Sequence, residues 1–225
     1  MENARAVGER LPAEVLGRPL VLASASPRRT ELLRRVGIPH DVRVSGVPEE
    51  ADRPGADPAE VAEEHASEKA LNVAAECAGR LVLGADTVVV VDGEVLGKPE
   101  DGADARRMLR RLSGRDHAVI TAVALALREE SSAAAELLAL EHVRTRVEFR
   151  ALSVEEIAAY VASGEPMDKA GGYGIQGRGA LLVSEIEGCY FNVVGLPLSR
   201  TWELLSALGH EVPEPDDAQV RGRRS

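Results

Sequence analysis

The chain has 225 residues, 44% of them hydrophobic and 28% charged, which is enough for one large domain with a sizeable core. Its 37 acidic and 27 basic residues give a net charge of −10, and aromatic residues make up only 3%. That balance argues against an extended nucleic-acid surface or a base-stacking platform, and no apolar run approaches the roughly 20 residues of a membrane span.

Cys77 and Cys189 are too few for a disulfide framework and lack metal-site spacing, so both are expected as reduced thiols. The start, "MENARAVGERLPAEVLGRP", has no continuous apolar stretch and does not read as a secretory signal; a cytoplasmic protein is expected. Residues 1–18 and 209–225 read as polar extensions, the latter with the composition of a disordered tail, around a single two-lobed domain at 19–208.

The first strand is expected at about 20–24, followed by a helix from Pro27 that stops near Gly37. "DPAEVAEEHASEKALNVAAEC" starts a second helix, with Asp57 as N-cap, Pro58 at the first helical position and Glu60 two residues on. "RLVLGADTVVVVDGEVLGKP" predicts a short strand, a break at Gly84, a second strand and an Asp92-Gly93 hairpin. "GADARRMLRRLSG" is a helix stopped at Gly114, and β-rich runs follow at 117–127 and 137–149. Ser153 and Glu156 form a capping box. After the helix they start, "EPMDKAGGYGIQGRG" is a glycine-rich loop, "ALLVSEI" and "YFNVVG" read as strands, and a helix at 198–208 closes the pattern. Mixed βα units and hairpins imply an α/β fold with a mixed sheet, flanking helices and a central cleft.

Three places carry chemistry. In "LASASPRRTELLRR", Ser24 and Ser26 precede a helix whose first turn holds Arg28 and Arg29, at the end where the macrodipole already supplies positive charge. Either the arginines point into solvent or the turn receives a strong anion, for which free amides and forked guanidiniums suit phosphate. Asp86 stands at the mouth of "TVVVV", where a carboxylate is costly to bury unless it is paired or metal-bound. It is a turn cap or a base or ligand bordering a cleft, with Thr87 beside it to orient it or touch substrate. Lys98, Glu49 and mid-helix Lys69 look like ordinary solvated charges when taken singly. The spacing in "GYGIQGRG" is reversed for a dinucleotide fingerprint, so closely approaching backbone is the better reading, with Gln176 offering a donor and an acceptor.

Together "LASASPRR", "GADTVVVVDGEVLGKP", "LSGRDHAVITAVAL" and "EPMDKAGGYGIQGRGALLVSEIEG…VVGLPLS" resemble the Maf proteins, nucleoside triphosphate pyrophosphatases, in order across about residues 20–208. The resemblance implies an elongated two-lobed fold like that of inosine triphosphate pyrophosphatase, a homodimer, and a divalent cation, Mg²⁺ or Mn²⁺. "MDKAGGYGIQG" is similar to the branch that hydrolyses dTTP and UTP, with modified pyrimidine nucleotides as further candidate substrates. By the same resemblance Asp86 is the proton acceptor, and Arg29, Thr87 and Gln176 govern substrate choice. Arg28, Glu49, Lys69 and Lys98 line the cleft, Glu49 and Asp86 hold the metal, and Ser24 joins the phosphate turn. The rival reading is a non-catalytic nucleotide-binding regulator of septum formation and cell division, which needs the cations but no base at Asp86.

Overall fold

The computed structural model describes residues 10–47 and 55–211. Glu49, residues 1–9 of the expected N-terminal extension and residues 212–225 of the expected tail lie outside the described residues. The chain runs α1 (Ala13–Leu16), β1 (Leu20–Leu22), α2 (Pro27–Arg35), β2 (His40–Val42), α3 (Pro58–Glu76), β3 (Val82–Val91) and β4 (Glu94–Leu96). It continues through α4 (Gly102–Leu112), β5 (Asp116–Leu127), β6 (Glu136–Phe149), α5 (Val154–Ala162), β7 (Val183–Glu187), α6 (Tyr190–Val194) and α7 (Leu198–Ala207). Among the described residues these strands make one mixed sheet in the order β2-β1-β3-β5-β6-β7, with β4 also on β3. β1 is parallel to both of its neighbours; every other pairing is antiparallel.

Local chemistry sets the element ends. Pro27 opens α2 behind Ser26, and the Asp57 carboxylate accepts from the Ala59 amide at 2.9 Å to start α3. Ser153 and Glu156 form the reciprocal capping box of α5. The β3–β4 turn places Asp92 and Gly93 at φ 54° and 78°, the left-handed pair that a two-residue hairpin of this twist requires.

Side chains alternate across the sheet. Leu20, Leu22, Leu83, Val123 and Leu125 face α2 and α7, while Val21, Val82, Ala118, Ala122, Ala124 and Ala126 face α3. The α3 face is built from small residues on both sides: Ala62, Ala66, Ala70 and Ala74, four residues apart, lie along the helix stripe over the β5 alanines. Helix and sheet therefore approach closely. A Cβ on Gly84 would lie 2.3 Å from the Ala66 carbonyl oxygen and 2.8 Å from the Ala70 nitrogen.

This contact corrects one expectation. Gly84 does not break the strand; it lies within a continuous β3 because only glycine lets α3 sit that low. Gly84→Ala must push α3 outward, and we expect a loss of about 1–3 kcal/mol, read as a fall of several degrees in melting temperature. An unchanged melting temperature would contradict this packing.

A second correction concerns "YFNVVG", which forms the short helix α6 rather than a strand. Asn192 is fully buried and donates through Nδ2 to the Val119 carbonyl at 2.9 Å and to Thr145 Oγ1 at 3.0 Å, so a tertiary demand overrides strand propensity. The stretch before residue 19 also contributes to the core. Leu11 and Val15 are buried in the cluster that contains Leu205 and Leu208, and the Leu11 amide donates to the Leu208 carbonyl at 2.8 Å.

Candidate functional site

β3 pairs with β5 along one edge over residues 82–90. Its other edge meets β1 only at Val82 and Leu83, and β4 only from Val89 to Val91. Residues 84–88 pair with neither, so the sheet opens just beyond the C-terminal end of β1, where α/β folds place their ligands. A cavity of about 280 Å³ occupies this opening. The N-terminus of α2 forms one wall; residues 168–170 and 173–176 of the glycine-rich segment form another, and Lys98, Asp86 and Thr87 complete it.

The two arginines of α2 have different surroundings. Arg29 is buried at 8% exposure and donates to the Gly195 carbonyl at 2.8 Å, Ser24 Oγ at 2.9 Å and Thr87 Oγ1 at 3.0 Å. Its guanidinium thus ties the β1–α2 turn to β3 and to the end of α6. Ser24 Oγ also accepts from the Ser26 amide at 3.2 Å, which shapes the turn. Arg28 is half-buried at the mouth and pairs with Asp168 at 3.1 Å. Lys169, bonded to Asp168 at 2.6 Å, shares that carboxylate. Burial alone would raise the Asp168 carboxyl, but Lys169 and Arg28 bring it below its ordinary value.

Asp86 faces the α3 side of the sheet. Its Oδ1 accepts from Lys69 Nζ at 2.6 Å, and His65 Nδ1 lies 3.4 Å from Oδ2. His65 and Lys69 are one helical turn apart, so α3 presents both to the same carboxylate. Burial pushes the Asp86 carboxyl upward, but the His65 hydrogen bond and the charges of Lys69 and Arg29 outweigh it and hold the group at about 2. The same hydrogen bond raises the His65 imidazole above its ordinary value. Asp86 is therefore a buried carboxylate at the cavity wall that is ionised at neutral pH.

Ser24, Arg28, Arg29, Asp86, Thr87, Lys98 and Gln176 thus converge on one cavity. Lys69 stands behind Asp86 rather than on the wall, and Glu49 lies outside the described residues. Sequence reasoning missed His65, Asp168 and Tyr173. His65 carried a faint signal, its four-residue spacing from Lys69. Asp168 sat unremarked within the loop motif. Tyr173 lines the cavity, and its hydroxyl is 2.7 Å from His117 Nε2 inside an edge-to-face cluster with Phe149, contacts that no local pattern reveals.

Among the described residues, no three His, Cys, Asp or Glu side chains gather to hold a metal, and no helix is long and apolar enough to cross a membrane. The molecule is a mixed α/β protein whose opened sheet edge forms a small cavity with Arg28, Arg29, Lys98 and Lys169 in its lining. The chain belongs to the Maf family: the model described as Maf-like protein matches residues 19–208. It is 55% identical over 193 residues to a dTTP/UTP pyrophosphatase of Symbiobacterium thermophilum, covering 86% of this chain and 95% of the relative. It is 54% identical over 193 residues to a dTTP/UTP pyrophosphatase of Moorella thermoacetica, with 86% and 96% covered. A dTTP/UTP pyrophosphatase of Geobacter metallireducens is 52% identical over 190 residues, with 84% and 96% covered.

Proposed function

We propose that this chain is a nucleoside triphosphate pyrophosphatase that hydrolyses dTTP and UTP to the monophosphate and pyrophosphate. The observation that carries the reading is that a buried, charged carboxylate and the arginine-bearing end of α2 line the same cavity. The relatives' names supply the substrate class, and the cavity supplies chemistry that suits it. Arg28 exchanges its exposed partner Asp168 for phosphate oxygens, and Lys98 lines the same cavity. These cations stabilise the charge that builds on departing pyrophosphate. Gln176, in the glycine-rich segment, reads the pyrimidine edge.

A proton acceptor working near neutral pH is best matched with a pKa near 7. Asp86 at about 2 is far below that while Lys69 and His65 hold it. Asp86 orients the attacking water by accepting its hydrogen, and it takes the proton as the water oxygen bonds to the α-phosphorus and becomes strongly acidic.

A hard divalent cation such as Mg²⁺ or Mn²⁺ fits this oxygen donor, since such ions take one or two carboxylates and draw further ligands from phosphates and water. Asp86 would hold it, with Glu49 as the second carboxylate this reading assigns. When bound, it supplies charge neutralisation on the phosphates.

Incubating the protein with UTP and dTTP in Mg²⁺ and separating the products tests the reaction. UMP or dTMP with pyrophosphate is expected; UDP with orthophosphate, or tight UTP binding without turnover under Mg²⁺ and Mn²⁺, would overturn it.

A further inference from the structure

Thr87 lines the cavity, and its hydroxyl is the outer end of a buried hydrogen-bond chain. Arg29 donates to Thr87 Oγ1 at 3.0 Å, and Thr87 Oγ1 lies 3.0 Å from Thr121 Oγ1, its register partner on β5. Thr121, with no exposure, donates in turn to the Asn192 carbonyl at 2.9 Å. That carbonyl also accepts from the Gly195 amide at 3.0 Å, and its two lone pairs accommodate both bonds. Asn192 is fixed by the bonds of its side chain to Val119 and Thr145.

These contacts determine where the protons lie. A carbonyl only accepts, so Thr121 uses its single proton on Asn192. The contact between the two threonines must then be made by the proton of Thr87. Arg29 only donates, so it takes one lone pair of Thr87 and leaves the other. Reversing the chain would forfeit a fully buried hydrogen bond. Thr87 therefore faces the cavity as an acceptor without a proton to give.

We infer that Thr121 is a positioning residue for base choice: by fixing the Thr87 hydroxyl as an acceptor, it makes this wall favour a ring N–H and repel a ring lone pair. Uracil and thymine carry a hydrogen at N3, whereas cytosine carries a lone pair there. The inference rests on the proposed pyrimidine triphosphate reading and adds an element to it, since Thr121 lies behind the wall, where no substrate reaches.

Thr121→Val keeps shape and removes the hydroxyl. The Thr87 proton then loses its acceptor and turns into the cavity, where it can meet the cytosine ring nitrogen. The UTP-to-CTP ratio of kcat/KM is expected to fall about tenfold or more in this variant, the scale set by an unpaired buried polar group. Thr121→Ser restores the hydroxyl and should restore the ratio, which a merely structural role would not require. A folded Thr121→Val protein with the unaltered ratio overturns the inference. Should that variant not fold, Thr121→Ala removes the same hydroxyl with less bulk: a UTP-to-CTP ratio that falls about tenfold or more supports the inference, and an unaltered ratio overturns it. Failure of the pyrimidine reading looks different: the unaltered protein would hydrolyse purine nucleotides and neither UTP nor CTP, and the inference would fall with it.

Discussion

Asp86→Asn should lower kcat for UTP by about 10²–10⁴-fold while the fold persists. The amide is nearly isosteric and its oxygen can still accept from Lys69, so the contact that anchors Asp86 to α3 survives. What disappears is the negative charge and the capacity to take a proton. The variant also loses a carboxylate that would hold the divalent cation, so turnover is compared at saturating Mg²⁺. A drop in kcat without a rise in KM marks a group that acts on the transition state rather than on ground-state binding. A folded variant with near-normal turnover would reduce Asp86 to a structural cap.

Lys69→Met should be the most destabilising single change at the site. It strands a buried carboxylate, and breaking such a pair typically costs about 3–5 kcal/mol. His65 and Arg29 remain nearby, which places the expected loss at the lower end, a fall of about 6–12 °C in melting temperature. The double variant Lys69→Met with Asp86→Leu should recover much of that stability while remaining inactive, because an apolar pair no longer buries a charge.

The acid dependence follows from the same pair. Asp86 has its folded value depressed from 3.8 to about 2, so its contribution is complete above about 4 and is lost as the pH falls towards 2. That contribution is about 2 kcal/mol in the parent protein and should be smaller in Lys69→Met, where His65 and Arg29 still favour the charged carboxylate. Melting temperatures between pH 2 and pH 5 would show a shallower acid slope in the variant. Parallel slopes would show that His65 and Arg29 hold the charged carboxylate without help from Lys69.

The legible parts of the fold are those written locally. Asp57-Pro58, the Ser153–Glu156 box and Asp92-Gly93 each carry their own hydrogen-bonding or dihedral demand, and each element begins or turns where that demand places it. The misread parts answer to distant neighbours. Gly84 is a glycine because of Ala66 and Ala70, and Asn192 turns inward because of Val119 and Thr145. The site divides in the same way. The serines, the arginine pair and the isolated Asp86 stood out because each is physically awkward where it falls. The Lys69–Asp86–His65 cluster, the Arg28–Asp168 pair and the threonine relay depend on strand register and helix depth, which no single stretch encodes.

The arginines in the first turn of α2 are placed in two ways. Arg29 turns back from the helix end to bind Gly195, Ser24 and Thr87, and Arg28 takes a carboxylate that stands in the way of an incoming anion. A dipole penalty of about 0.3–1 kcal/mol is small against either set of bonds.

Turnover of UTP in ¹⁸O-enriched water, followed by mass spectrometry of both products, tests the central claim most directly. Attack at the α-phosphorus places the label in UMP and leaves pyrophosphate unlabelled, which is the expected result. Label in pyrophosphate, or UDP accompanied by labelled orthophosphate, would contradict it.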